Sequence, residues 1–168
     1  MNYGYFDDTN REYVVTRPDT PGLWSNYMGS ADFGAIITNN GAGYTFYKSV
    51  AQGRLSRFRF NSIPADMPGN FIYLRDNESG DFWSGAWQPV AKDLNDYKYE
   101  CRFGAGYTII SSEYSRISCK TTYFIPLNQN FEVWRIKLKN NSDKTRKLSI
   151  FSLLCTKSSY FRQKKQLI

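Results

Sequence analysis

The feature that most constrains this chain is the rhythm of its apolar residues: they come in short alternating blocks, each cut off within a few residues by Gly, Pro, Asn or Asp. Such blocks are the signature of strands joined by tight turns. Residues 12–16 run into Arg17-Pro18-Asp19-Thr20-Pro21-Gly22, where two prolines and a glycine end any regular element. Further strands are expected at 33–38, 44–47, 54–60, 71–75 and 82–83, with a bulge near Arg57, where Leu55 and the pair Phe58 and Phe60 change face. Residues 107–111, 117–125, 131–139 and 147–154 are long enough to form a four-stranded meander, with Phe124, between Tyr123 and Ile125, expected in the core. Its turns are Asn128-Gln129-Asn130 and Asn140-Asn141-Ser142-Asp143, whose side chains tolerate left-handed backbone. No segment sustains a 3.6-residue period over four turns with caps, so one short helix at most is expected, near Val90 to Asp96.

Composition agrees with that reading. Aromatic residues are 17% of the chain, a bias toward side chains that suit a pleated, half-buried surface. At 168 residues the chain is one domain's length and can bury roughly 70% of its extended surface without staples. An all-β, twisted antiparallel sandwich follows.

What the residues exclude is as informative. There is no histidine, which removes Ser-His-Asp and Cys-His catalysis. Cys101, Cys119 and Cys155 form no CxxC pair, so no metal site is expected. No apolar run reaches 18 residues, and Asp7, Asp8, Arg11 and Glu12 interrupt the place of a secretory core; the chain is expected to be cytoplasmic, with free thiols and no membrane partner. Of the net charge of +7, four cations fall in the last 14 residues (Lys157, Arg162, Lys164 and Lys165), leaving +3 for the body. That balance gives no footprint for nucleic acid.

Glycoside hydrolysis needs only two carboxylates. Here Asp7-Asp8, Asp76-Asn77-Glu78 and Asp81 lie in polar turns, where turn and cap roles with low pKa values are expected instead. Gly41-Ala42-Gly43 lacks the Lys-Ser/Thr of a phosphate loop and reads as a tight turn needing positive φ. After it, Tyr44 and Phe46 fall on one strand face and Tyr47 on the other. Trp83 and Trp87 flank a glycine and could stack on a sugar ring, although core packing is the expected role. Arg54, Arg57 and Arg59 are either an anion site or a solvated face.

Several blocks resemble a known family. Tyr3-Gly4-Tyr5-Phe6-Asp7-Asp8, Arg11 to Pro21, Asn26-Tyr27-Met28-Gly29, Gly41 to Tyr47, Arg57 to Asn61 and Tyr123 to Leu127 are similar to the start of glycoside hydrolase family 94 (glycosyltransferase family 36), the cellobiose and chitobiose phosphorylases. Tyr73 to Asp76, Ser79 to Asp81, Trp83-Ser84 and Trp87 to Lys92 are more similar to the chitobiose branch. The resemblance implies a galactose mutarotase-like super-sandwich over residues 1–153, without the (α/α)6 barrel that carries the catalytic acid in that family. It implies that the intact enzymes are homodimers that split a β-linked disaccharide (cellobiose or N,N'-diacetylchitobiose) with inorganic phosphate and inversion, giving an α-sugar 1-phosphate, with no other cofactor. By the same resemblance this domain supplies dimer surface and a loop over the partner subunit's active site. Tyr47 is then the substrate contact, and Gly43 and Tyr44 hold its shape; no catalytic residue is expected in the chain.

Two departures stand out. Phe103 occupies a stretch where the family has histidine, and residues 154–168 leave the family pattern for a basic tail. A truncated or frameshifted gene is the expected origin of that tail, with a genuine exposed terminus as the alternative, and the fragment is expected to be inactive. Two other readings remain open: a stand-alone carbohydrate-binding module using Trp83, Trp87 and Tyr47, and an assembly domain that pairs with a full-length phosphorylase.

Overall fold

Inward-facing alternation builds the sheets. The computed structural model describes residues 2–56 and 69–154. Among these the elements are strands only: β1 (Gly4–Asp7), β2 (Glu12–Val15), β3 (Ser25–Gly29), β4 (Phe33–Thr38), β5 (Gly43–Tyr47), β6 (Asn70–Asp76), β7 (Phe82–Ser84), β8 (Lys98–Gly104), β9 (Tyr107–Tyr114), β10 (Ile117–Phe124), β11 (Val133–Asn140) and β12 (Leu148–Leu154). One layer is a six-stranded antiparallel sheet in the order β1-β2-β8-β9-β10-β11. The other is formed by β3-β4-β5 and β12-β6-β7, which meet at a bridge between Ala42 and Gly69.

Two apolar clusters lie between the layers. Met28, Phe33, Ala35 and Ile37 of the β3-β4-β5 sheet pack on Val15, Cys101, Ile110 and Tyr123. Ile72, Leu74 and Trp83 pack on Ile117 and Cys119. The registry follows the period of two: in β10, Ile117, Cys119 and Tyr123 are buried while Lys120 between them is exposed. Phe124, expected in the core, is corrected by the same alternation: it lies on the outer face and is half-buried, and Tyr123 and Ile125 fill the core.

Two expected elements change. Residues 107–140 do form a three-stranded meander, but the fourth strand leaves it: β12 crosses to the other layer and pairs with β6, Ile150 opposite Leu74. The crossing is fixed by Arg146, whose guanidinium bonds the Asp76 carboxylate at the end of β6. The helix near residues 90–96 is absent. Asp93 accepts the Asn95 amide through its side chain at 2.9 Å and the Asp96 amide through its carbonyl at 3.1 Å, and Ala91 sits at φ 53°, so local side-chain bonding turns the chain instead. The strand and bulge expected around residues 57–60, and the tail after residue 154, lie outside the described residues.

Candidate functional site

Gly43, Tyr44 and Tyr47, the residues expected at the site, all lie on β5. The turn before it needs glycine: Gly41 is at φ 75° and Gly43 at φ 154°, and a β-carbon on Gly43 would lie 1.9 Å from the Ile36 carbonyl oxygen. This close approach seats β5 against β4. Tyr44 is only 4% exposed, and the Arg54 guanidinium covers its ring at 4.9 Å. Phe46 lies over Gly34, where a β-carbon would meet the ring at 2.4 Å. Gly43 and Tyr44 are therefore internal parts of the strand, and neither presents a surface to a ligand.

Tyr47 ends the strand on the opposite face and is 37% exposed. Its amide donates to the Gly53 carbonyl at 2.9 Å, and the Gly53 amide donates to the Ser49 carbonyl at 2.7 Å. Lys48, at φ 61°, donates its amide to the Asp32 carbonyl at 2.7 Å and holds its ammonium 5.4 Å from the Tyr47 ring. Residues 47–53 thus form a self-bonded hairpin end that displays one aromatic ring and one cation. A partly exposed tyrosine there can stack on a sugar face and hydrogen-bond through its hydroxyl.

The other candidates separate. Trp83 is 1% exposed in the core, 5.3 Å from Tyr114, so it has no face for a sugar. Trp87 is half-buried, and its indole N–H donates to the Lys92 carbonyl at 2.8 Å. Arg54 is taken up by Tyr44, while Arg57 and Arg59 lie outside the described residues.

The carboxylates expected in solvated turns are held more tightly than that. Asp76 is buried and accepts the Glu78 amide at 2.8 Å; this bond and Arg146 hold its carboxyl below the usual range. Burial pushes the Asp81 carboxyl up, but hydrogen bonds from Lys92 at 2.6 Å and Tyr114 at 2.9 Å outweigh it and bring it below its ordinary value. Asp7 is lowered by Asn10 and by Arg102. Arg102 is the hub of an outer-face network that sequence reasoning missed: it reaches Glu100 at 2.6 Å, Glu12 at 2.8 Å and Asp7 at 3.0 Å, and Tyr107 donates to Glu12 at 2.6 Å. Its five members converge through strand register, with Val14 opposite Arg102 and Glu12 opposite Asp7.

One carboxyl moves the other way. Burial raises Glu132 to about 7, and its Oε1 is buried without a partner. A general acid needs a raised pKa, yet it must also touch substrate. An oxygen closed off from solvent does not.

Residues 11–156 match the family model described as glycosyl hydrolase 94, supersandwich domain. The chain belongs to this family. It is 46% identical to the N,N'-diacetylchitobiose phosphorylase of Vibrio proteolyticus over 92% of its length, and 48% identical to that of Vibrio furnissii over 90%. It is 33% identical to the 3-O-beta-D-glucopyranosyl-beta-D-glucuronide phosphorylase of Paenibacillus borealis over 89% of its length. The chain spans only about 19% of the length of each Vibrio enzyme and 18% of the Paenibacillus one. Its all-antiparallel architecture agrees with the match, and the described residues form strands only.

Proposed function

We propose that this supersandwich domain is the amino-terminal part of a phosphorylase for a β-linked disaccharide, with N,N'-diacetylchitobiose the best-supported substrate. In this reading the domain has no active site. It serves a homodimer as assembly surface and as the mount for Tyr47, which reaches substrate held by the partner subunit. Inorganic phosphate is the co-substrate of the intact enzyme and meets none of the described residues.

The observation that carries this reading is the gap in identity. The two N,N'-diacetylchitobiose phosphorylases match at 46% and 48%, against 33% for a phosphorylase of a different disaccharide. The arrangement at the end of β5 supports the Tyr47 role, because the hairpin end is braced by backbone hydrogen bonds and leaves the ring partly exposed.

Two measurements test the reading. The purified chain, incubated with phosphate and N,N'-diacetylchitobiose, is expected to release no sugar 1-phosphate; turnover that persists through purification overturns the reading. Native mass spectrometry of the chain mixed with the intact Vibrio proteolyticus enzyme is expected to reveal a mixed dimer, and strict exclusion counts against the assembly role.

A further inference from the structure

Tyr47 stands where the chain reverses, and the reversal is unusually sharp. The Ser49 amide donates to the Tyr47 carbonyl at 2.7 Å across Lys48, whose φ is 61°. A hydrogen bond spanning two residues around a positive φ makes a γ-turn of the rare, strained kind. Lys48 thus holds a conformation in which glycine would be relaxed. Its amide is fixed from the other side by the Asp32 carbonyl at 2.7 Å.

The returning chain closes on the same carbonyl. Phe46 bridges to Arg54, the Leu55 amide donates to the Thr45 carbonyl at 2.8 Å, and the Tyr47 amide donates to the Gly53 carbonyl at 2.9 Å. A β-carbon on Gly53 would lie 1.8 Å from the Tyr47 carbonyl oxygen and 3.0 Å from that of Ser49. Both contacts are with backbone, so no side-chain rotation relieves them. On the far side β4 places Phe33 opposite Tyr47. The Tyr47 backbone is therefore clamped between β4 and the returning arm, and every group of the clamp lies within residues 32–55.

We infer that Lys48 and Gly53 are the positioning residues of Tyr47. Backbone strain persists only where surrounding bonds over-determine it, and it gathers at sites that need one fixed geometry. A relaxed turn would reverse the chain equally well. What the strained one adds is a single direction for the residue before it. Lys48 stops β5 at Tyr47, and Gly53 lets the returning arm come close enough to hold it there. The Lys48 ammonium, 5.4 Å from the centre of the Tyr47 ring, keeps the same arrangement on the side-chain side. This assignment rests on the reading of Tyr47 as the substrate contact.

Hydrogen exchange of the full chain, read residue by residue by NMR, tests it with K48G, G53A and the control G22A, where a β-carbon meets nothing within 4 Å. In G53A the Tyr47 amide should exchange about tenfold faster, while Ala35 and Ile37 of β4 keep their protection. The upfield ring-current shift of the Lys48 side chain should vanish with it, a signature of the ring's direction that a general loss of stability does not move. K48G should raise the urea midpoint, because glycine relieves the strain, and still speed exchange at Tyr47 and Gly53. G22A should match the parent in every readout. A lower midpoint in K48G, unchanged exchange at Tyr47 in both variants, or equal loss along β4 overturns the assignment. If G53A does not fold, K48G decides by the same criteria. Exchange that contradicts the clamp leaves the substrate reading of Tyr47 standing, whereas failure to form the mixed dimer counts against that reading and leaves the clamp.

Discussion

The α-carbon of Gly43 is packed so closely on Ile36 that a β-carbon would lie 1.9 Å from the Ile36 carbonyl oxygen, and this single contact sets how β5 lies on β4. Gly43→Ala must therefore push the strands apart in addition to straining the backbone at φ 154°. We expect a loss on the order of 3 kcal/mol, in the upper range for point changes, measured by urea unfolding with unchanged slope. A loss under about 0.5 kcal/mol would show that β5 shifts freely.

Tyr47→Ala should cost about 1 to 2 kcal/mol, since the residue is only partly covered, whereas Tyr123→Ala, in the core, should cost about 3 to 5 kcal/mol. Tyr123, 1% exposed, is the proper comparison, because Phe124 turned out to face outward. Equal losses at Tyr47 and Tyr123 would make Tyr47 a packing residue and remove its proposed role.

Asp76 gives the chain an acid limit. Its carboxyl titrates below the ordinary value because it accepts the Glu78 amide and the Arg146 guanidinium. A lowered folded pKa contributes stability that is present above the unfolded value near 4 and is lost as pH falls through the folded one. Asp76→Asn should lower stability at pH 7 and flatten its dependence below pH 4, read by thermal unfolding from pH 2 to 7. It should also loosen β12, which hangs on the same ion pair; hydrogen exchange along residues 148–154 reports this.

Glu132 acts in the opposite direction. Burial raises it to about 7, so folding is favoured where the group stays protonated in both states, and that advantage fades as pH climbs from its unfolded value near 4.5 through 7. Glu132→Gln should remove this slope and stabilise the chain at pH 9 by about 2 to 3 kcal/mol. Unchanged stability at pH 9 would mean that the carboxylate finds a partner when ionised.

The strands that were legible in the sequence are those whose faces differ chemically. The alternation through residues 117–125 gave β10 with its buried face, although Phe124 had to be moved to the other side. Strand β8 carries an equally strict alternation, Tyr99, Cys101 and Phe103 against Lys98, Glu100 and Arg102, and is absent from the expectations above; the signal was there. The turn between β9 and β10 was not legible, because Ser115 and Arg116 both hold positive φ without the Asn-Gly that usually marks such a turn. Pairing partners were out of reach for a different reason. That β12 joins β6 depends on Arg146 meeting Asp76 across 70 residues, and local pattern carries nothing of that distance. For the site, the glycine turn and the two-faced aromatics of β5 were readable, whereas the burial of Tyr44 beneath Arg54 was not.

The turn that precedes β5 also has a chemical lifetime. An Asn-Gly pair ages by attack of the glycine nitrogen on the asparagine side-chain carbonyl, which needs both groups free to rotate toward each other. Here the Gly41 amide is tied to the Thr38 carbonyl at 3.0 Å, and the buried Asn40 side chain is tied to the Pro18 carbonyl at 3.0 Å. Deamidation at Asn40 therefore proceeds only in molecules whose turn has come undone. Its rate, followed by peptide mass spectrometry, becomes a clock for how often the floor beneath Tyr44 opens.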